Sequence, residues 1–162
     1  MRLTSMIAAA GLVLIIGACG KKTEECNAVS GALNAQGEKI ANAMKEKGDA
    51  DETGKWMKDL AQAADGAAAE MAKITLTTPE LQKFSSDYQT MCKEIASAAR
   101  EGVAGFTAVH AMTEKQKKGE EVKEAELKAL DAKFKSMESG IDSAVNKESA
   151  IVDGINKFCG GK

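Results

Sequence analysis

Apolar residues recur along most of the chain at steps of three and four, the spacing that lines one face of an α-helix. The first such stretch covers 24–47, with Cys26, Val29, Leu33, Gly37, Ile40 and Met44 on its inner face. Lys45, Lys47 and Gly48 form a stop signal, and 48–51 reads as a turn. The second stretch covers 52–74, with Trp56, Leu60, Ala63, Ala67, Met71 and Ile74 facing inward.

Thr78-Pro79-Glu80 is a strong helix start. Thr78 suits the cap, Pro79 the first helical position and Glu80 the positive helix end. A third helix follows over 79–118, with a seam through Leu81, Phe84, Tyr88, Met91, Ile95 and Ala98, then Gly102, Gly105, Val109 and Met112. Lys117-Lys118-Gly119 closes it. The fourth helix is expected over 121–158, through Leu127, Leu130, Phe134, Met137, Ile141, Ala144, Ile151, Ile155 and Phe158. Glu148 falls on that stripe and breaks it, and Ser139-Gly140 marks a kink. No alternating strand pattern occurs, so the fold class is all-α. Short turns make consecutive helices antiparallel. The expected architecture is an up-down-up-down four-helix bundle over 24–159. Its third and fourth helices are nearly 40 residues each, about 55–60 Å at 1.5 Å per residue. The first two are much shorter, so a two-helix projection should carry Gly119 at its tip.

The first 18 residues do not join this pattern. Arg2 supplies a positive start, and Met6 to Ile16 is an unbroken apolar run. A spanning helix needs about 20 apolar residues, and Lys21-Lys22 end this one too soon. Residues 1–18 therefore read as an export signal. The run ends in Ile16-Gly17-Ala18-Cys19. That tetrapeptide resembles the lipobox of bacterial lipoproteins: an aliphatic residue, two small residues and a cysteine. The resemblance implies diacylglycerol on the Cys19 sulfur, cleavage before Cys19 and a fatty acyl group on the new amine. Two or three acyl chains give stable anchoring, where one is marginal. Gly20, in place of an inner-membrane-retaining Asp, points to the outer membrane in a host that has one. Residues 19–23 form a short acylated tether, and its lysines suit anionic headgroups as well as simple solubility.

Composition fits this reading. Aromatic residues make up 4% of the 162 and there is one proline, so the core must be built from small side chains. The formal net charge is −2; without residues 1–18 it becomes −3, from 21 basic and 24 acidic side chains. That balance argues against nucleic acid.

Three cysteines remain after Cys19. An exported chain meets oxidising conditions. In an up-down-up-down bundle the first helix begins, and the fourth ends, at one pole, which brings Cys26 and Cys159 together. Cys92 lies about 20 Å from that pole, too far for a disulfide. It is expected to be a buried free thiol.

Candidates for chemistry are few. His110 is the single histidine, which leaves a metal site or a di-iron bundle without ligands. Glu24-Glu25 and Glu120-Glu121 sit at expected helix starts, where they complement the helix dipole. Ser85-Ser86 lacks a base nearby, and there is no phosphate loop or nucleophile elbow. The lysines of 115–123 alternate with glutamates, as in a solvated turn. Trp56 and Tyr88 are expected to anchor the core. Lys162 resembles the terminal lysine that murein lipoproteins join to peptidoglycan. The match is that one residue, and the chain lacks that family's short single-helix form. These residues point to a non-enzymatic, membrane-anchored protein without a cofactor. Its partners would be the bilayer and an envelope protein or peptidoglycan. The alternative is a carrier of apolar ligands between helices, with room beside Gly102 and Gly105.

Overall fold

A computed structural model describes residues 20–45 and 54–160. Residues 1–18, Cys19, the expected turn 48–51 and Lys162 lie outside the described residues. Four helices account for nearly all the rest: α1 Lys21–Lys45, α2 Lys55–Ala72, α3 Pro79–Lys117 and α4 Glu124–Cys159. Among the described residues there is no strand. The all-α bundle read from the pattern is present.

The helix ends follow local chemistry. α1 starts three residues earlier than expected and takes in most of the tether. Thr23 and Glu24 donate their amides to the Gly20 carbonyl at 2.9 and 3.3 Å, and Glu24 sits in the positive first turn. α2 stops at Ala72 because Lys73 and Ile74 turn their amides back to the Glu70 and Met71 carbonyls. The C-terminus of α3 is a Schellman motif. Gly119 adopts φ +75°, its amide reaches the Gln116 carbonyl at 3.0 Å, and the Glu120 amide reaches Lys115 at 3.0 Å. α4 begins at Glu124, later than expected. The Glu126 carboxylate accepts the Lys123 amide at 3.0 Å and the Lys115 ammonium at 2.5 Å, which sets the entry of the returning helix.

α3 is the centre of the packing. α2 lies along one side of it and α4 along the other, while α1 packs chiefly on α2. α1 and α4 approach closely over only a short stretch, which includes Cys26 and Cys159. Two-sided packing explains why α3 buries a wider face than its seam requires. Cys92, Ala96 and Ala99 join Leu81, Tyr88, Met91 and Ile95 in the interior.

Small side chains permit close approach. A Cβ built on Gly140 of α4 would stand 2.9 Å from the Ala98 Cβ of α3. Built on Gly154, it would stand 2.6 Å from the Phe84 ring. The spaces beside Gly102 and Gly105 are filled: Met137 and Met57 crowd the first, and the Phe134 ring the second.

Two inner faces differ from the expected ones. On α1 the buried stripe is Cys26, Val29, Leu33, Gln36, Ile40 and Ala43. Gln36 takes the place expected for Gly37, which is half-buried. On α2 the face is rotated toward Met57, Ala61, Ala64 and Ala68, leaving Trp56 and Ala63 half-buried. Alanine is frequent all round α2, so spacing alone does not choose between these rotations.

Beyond Gly105 in α3 and before Ile141 in α4, no described residue is buried. Val109 is 37% and Leu127 51% exposed. This stretch is a two-helix projection, held by an edge-to-face contact of Phe106 with Phe134 at 5.6 Å and by the Lys115–Glu126 pair.

Candidate functional site

The most connected part of the molecule is the pole where α1 starts and α4 ends. Here Cys26 and Cys159 form a disulfide with Cα atoms 5.8 Å apart, within the usual range. One residue earlier, the Glu25 side chain crosses to the segment that leads into α3. Its carboxylate accepts the Thr77 amide at 2.9 Å, the Thr77 hydroxyl at 2.6 Å and the Thr78 amide at 3.0 Å. Thr78 occupies the N-cap position with extended backbone, but its own side chain makes no cap bond. Glu25 is therefore a cap supplied from a different helix. It places a negative charge at the positive end of α3.

These bonds hold Glu25 in its charged form, with its pKa lowered to about 2. Hydrogen bonds from Thr77 and Thr78 are the largest cause, and they outweigh the opposing effect of burial. A carboxylate so engaged is a poor base at neutral pH, so its role is structural. Lys22 completes the pole: its ammonium lies 4.0 Å from the centre of the Phe158 ring. Phe158 in turn meets Phe84 of α3 edge-on at 6.4 Å. The start of α1 is thereby joined to α4 by a disulfide and an aromatic contact, and to α3 by a buried ionic cap.

A second polar cluster lies between α3 and α4. Tyr88 and Cys92, one turn apart on α3, are both buried. Glu148, the residue that broke the α4 stripe, is half-buried, and its charge acts on both. Burial is the chief cause that raises all three: the Cys92 thiol is pushed up to about 11, and the Tyr88 hydroxyl and Glu148 carboxyl also rise. Cys92 is thus a neutral, inaccessible thiol, unsuited to nucleophilic work at neutral pH.

The remaining candidates are dispersed. His110 is exposed on the projection, and Glu120 and Glu121 lie in the exposed turn before α4. Ser85 is buried and Ser86 exposed, with the Ser85 hydroxyl bonded by Gln89 at 3.1 Å. Tyr88 is in the core as expected, whereas Trp56 is half-buried at its edge. Among the described residues no group of three His, Cys, Asp or Glu side chains converges. None of their helices is long and apolar enough to cross a membrane.

Sequence reasoning missed the part Glu25 plays. It assigned Glu25 to the first helix's own dipole, because nothing local connects it with residues 52 positions away. The disulfide was legible because the helix order expected from the sequence brings the two cysteines to one pole. The fold and this pole define a helical bundle tied at one end. The chain matches no protein-family model, no curated protein and no solved structure.

Proposed function

We propose that this protein is a bacterial lipoprotein of the cell envelope. Residues 1–18 are removed, Cys19 carries diacylglycerol and a fatty acyl group, and the helical domain acts without catalysis through contacts with an envelope protein or peptidoglycan. Its helices run up-down-up-down. The pairings of Gly54 with Phe106, Ala98 with Gly140 and Phe84 with Gly154 support that order.

The observation that carries the proposal is Ile16-Gly17-Ala18-Cys19 placed immediately before a firmly held helix start. A lipid on Cys19 would pull on Lys21–Cys26, and that stretch is held by Glu25, by the disulfide and by Lys22 on Phe158. The domain would then sit close to the bilayer, its projection pointing away with Val109 and Leu127 exposed for a partner. Seven basic and seven acidic side chains lie between 106 and 140, so a partner there would meet mixed charge. The carrier alternative draws no support from Gly102 and Gly105, whose flanks are occupied.

Metabolic labelling with palmitate, combined with membrane fractionation, tests the anchor. The wild-type chain should take up label and sediment with membranes, and Cys19→Ala should do neither. A Cys19→Ala protein that remains labelled and membrane-bound would overturn the proposal.

A further inference from the structure

Val109 of α3 and Leu127 of α4 are the two large apolar side chains that stand exposed among the described residues, and both lie on the projection. They occupy seam positions, spaced by threes and fours from Gly105 and Phe134. Gly105 packs on the Phe134 ring and Lys115 pairs with Glu126. Between these contacts the register sets Val109 and Met112 at the level of Leu130 and Leu127. Nearer the pole the α3 seam has α2 on a second side, and α2 begins beside Phe106. Beyond that point two helices close only one side of each other's apolar stripe.

We propose that the projection is a dimerisation surface whose occupant is the projection of a second copy of this chain. Two such hairpins complete a bundle of four helices.

Charge selects the occupant. The mixed charge of the projection is sorted between its arms. Residues 106–119 carry three lysines and one glutamate, an excess of two positive charges. Residues 120–140 carry six acidic side chains and four lysines, an excess of two negative charges. In the square order α3, α4, α3, α4 around a two-fold axis, each basic arm of one copy lies against the acidic arm of the other. Neighbouring helices are then antiparallel throughout. A two-fold interface must be complementary to itself, and an apolar seam flanked by one basic and one acidic arm meets that condition.

Size agrees. A stable interface uses about 20–30 residues a side, so an occupant must run along most of this hairpin of 35 residues, 106–140. A second hairpin does so. Other parts of the chain are poor occupants. Residues 46–53, which lead into α2, contain no large apolar side chain. The apolar run Met6–Ile16 joins the domain at the opposite pole, about 40 Å away along α3.

Sedimentation equilibrium of the full chain in density-matched detergent, with micelles in excess over protein, tests the surface. At about 100 µM the mass should be that of two copies, with Kd about 10 µM or tighter. Val109→Gln combined with Leu127→Gln alters exposed side chains, so Tm and the helical spectrum should hold while dimerisation weakens at least about tenfold. Raising salt from about 0.1 to 1 M shortens the screening length from about 10 to 3 Å and should weaken the dimer severalfold. Cys19→Ala should dimerise like the wild-type chain, so a missing lipid and a missing dimer are separate results. A single-copy mass would leave this face to a partner of other chemistry and overturn the proposal. A mass above two copies, a dimer that survives the double substitution or tightens in salt, or one lost in Cys19→Ala would overturn it equally.

Discussion

Glu25 shows how much one side chain can determine. Three donors from Thr77 and Thr78 converge on it, and only the charged carboxylate accepts all of them. Folding therefore favours the ionised form, with a pKa near 2 in place of 4.5. The sign follows from linkage. The contribution to stability is full above the unfolded value and is lost as pH falls through the folded one. Stability of the wild-type domain should drop between about pH 4.5 and pH 2. In Glu25→Gln one donor would face the amide nitrogen, so this variant should melt at a lower temperature at pH 7. It should also lose part of the pH dependence in that window. Thermal melts at half-unit pH steps would check it; superimposable pH profiles would show that the cap is energetically silent. Glu25 was not legible in the sequence, because its partners are remote and its neighbours suggest a simpler role. Gln36 was readable in principle. The steps 26, 29, 33, 36, 40 and 43 are a regular seam, but a reading that follows apolar residues passes over an amide and settles on Gly37.

At the level of the helices, glycines separate two kinds of contact. Gly140 lies where α3 and α4 touch almost backbone to backbone, and a methyl group there would strike Ala98. Both partners are short and rigid, so the helices themselves would have to move. Gly140→Ala should destabilise the domain by about 1–3 kcal/mol, the usual range for overpacking. Gly31 on α1 is exposed, and a Cβ there would meet nothing within 4 Å. Gly31→Ala should stabilise by about 0.5–1 kcal/mol through helix propensity alone. Urea denaturation of the two variants should shift the midpoint in opposite directions; a shared direction would mean that the α3–α4 approach is looser than described. The existence of the helices was legible because the three-four spacing is sustained and Thr78-Pro79 and Gly119 mark breaks. Helix ends were less so. Packing at the pole extends α1 back to Lys21, and the Schellman turn with Glu126 delays α4 to Glu124. The rotation of α2 was hidden by its alanines, which supply an apolar face in several directions.

For the molecule as a whole, the two ends differ in kind. One pole is closed by the Cys26–Cys159 disulfide across 133 residues, by the Glu25 cap and by Lys22 on Phe158. The other end is a two-helix projection with exposed apolar side chains. In the chain-entropy model a crosslink of that span contributes about 5 kcal/mol, a large share of a small domain's stability. Reduction should therefore lower the urea midpoint clearly while α-helical content in water persists; an unchanged midpoint would mean the pole is held without it. This asymmetry is what a protein held to a surface by its first residues needs, since the tied pole would bear the anchor and leave the projection free. The lipid on Cys19 is the central claim, and the N-terminus of the membrane-extracted protein tests it most directly. Mass spectrometry of the N-terminal peptide should find it beginning at Cys19, with diacylglycerol on sulfur and an acyl group on the amine. A peptide that begins at Met1, or that carries Cys19 as a free thiol, would contradict the account.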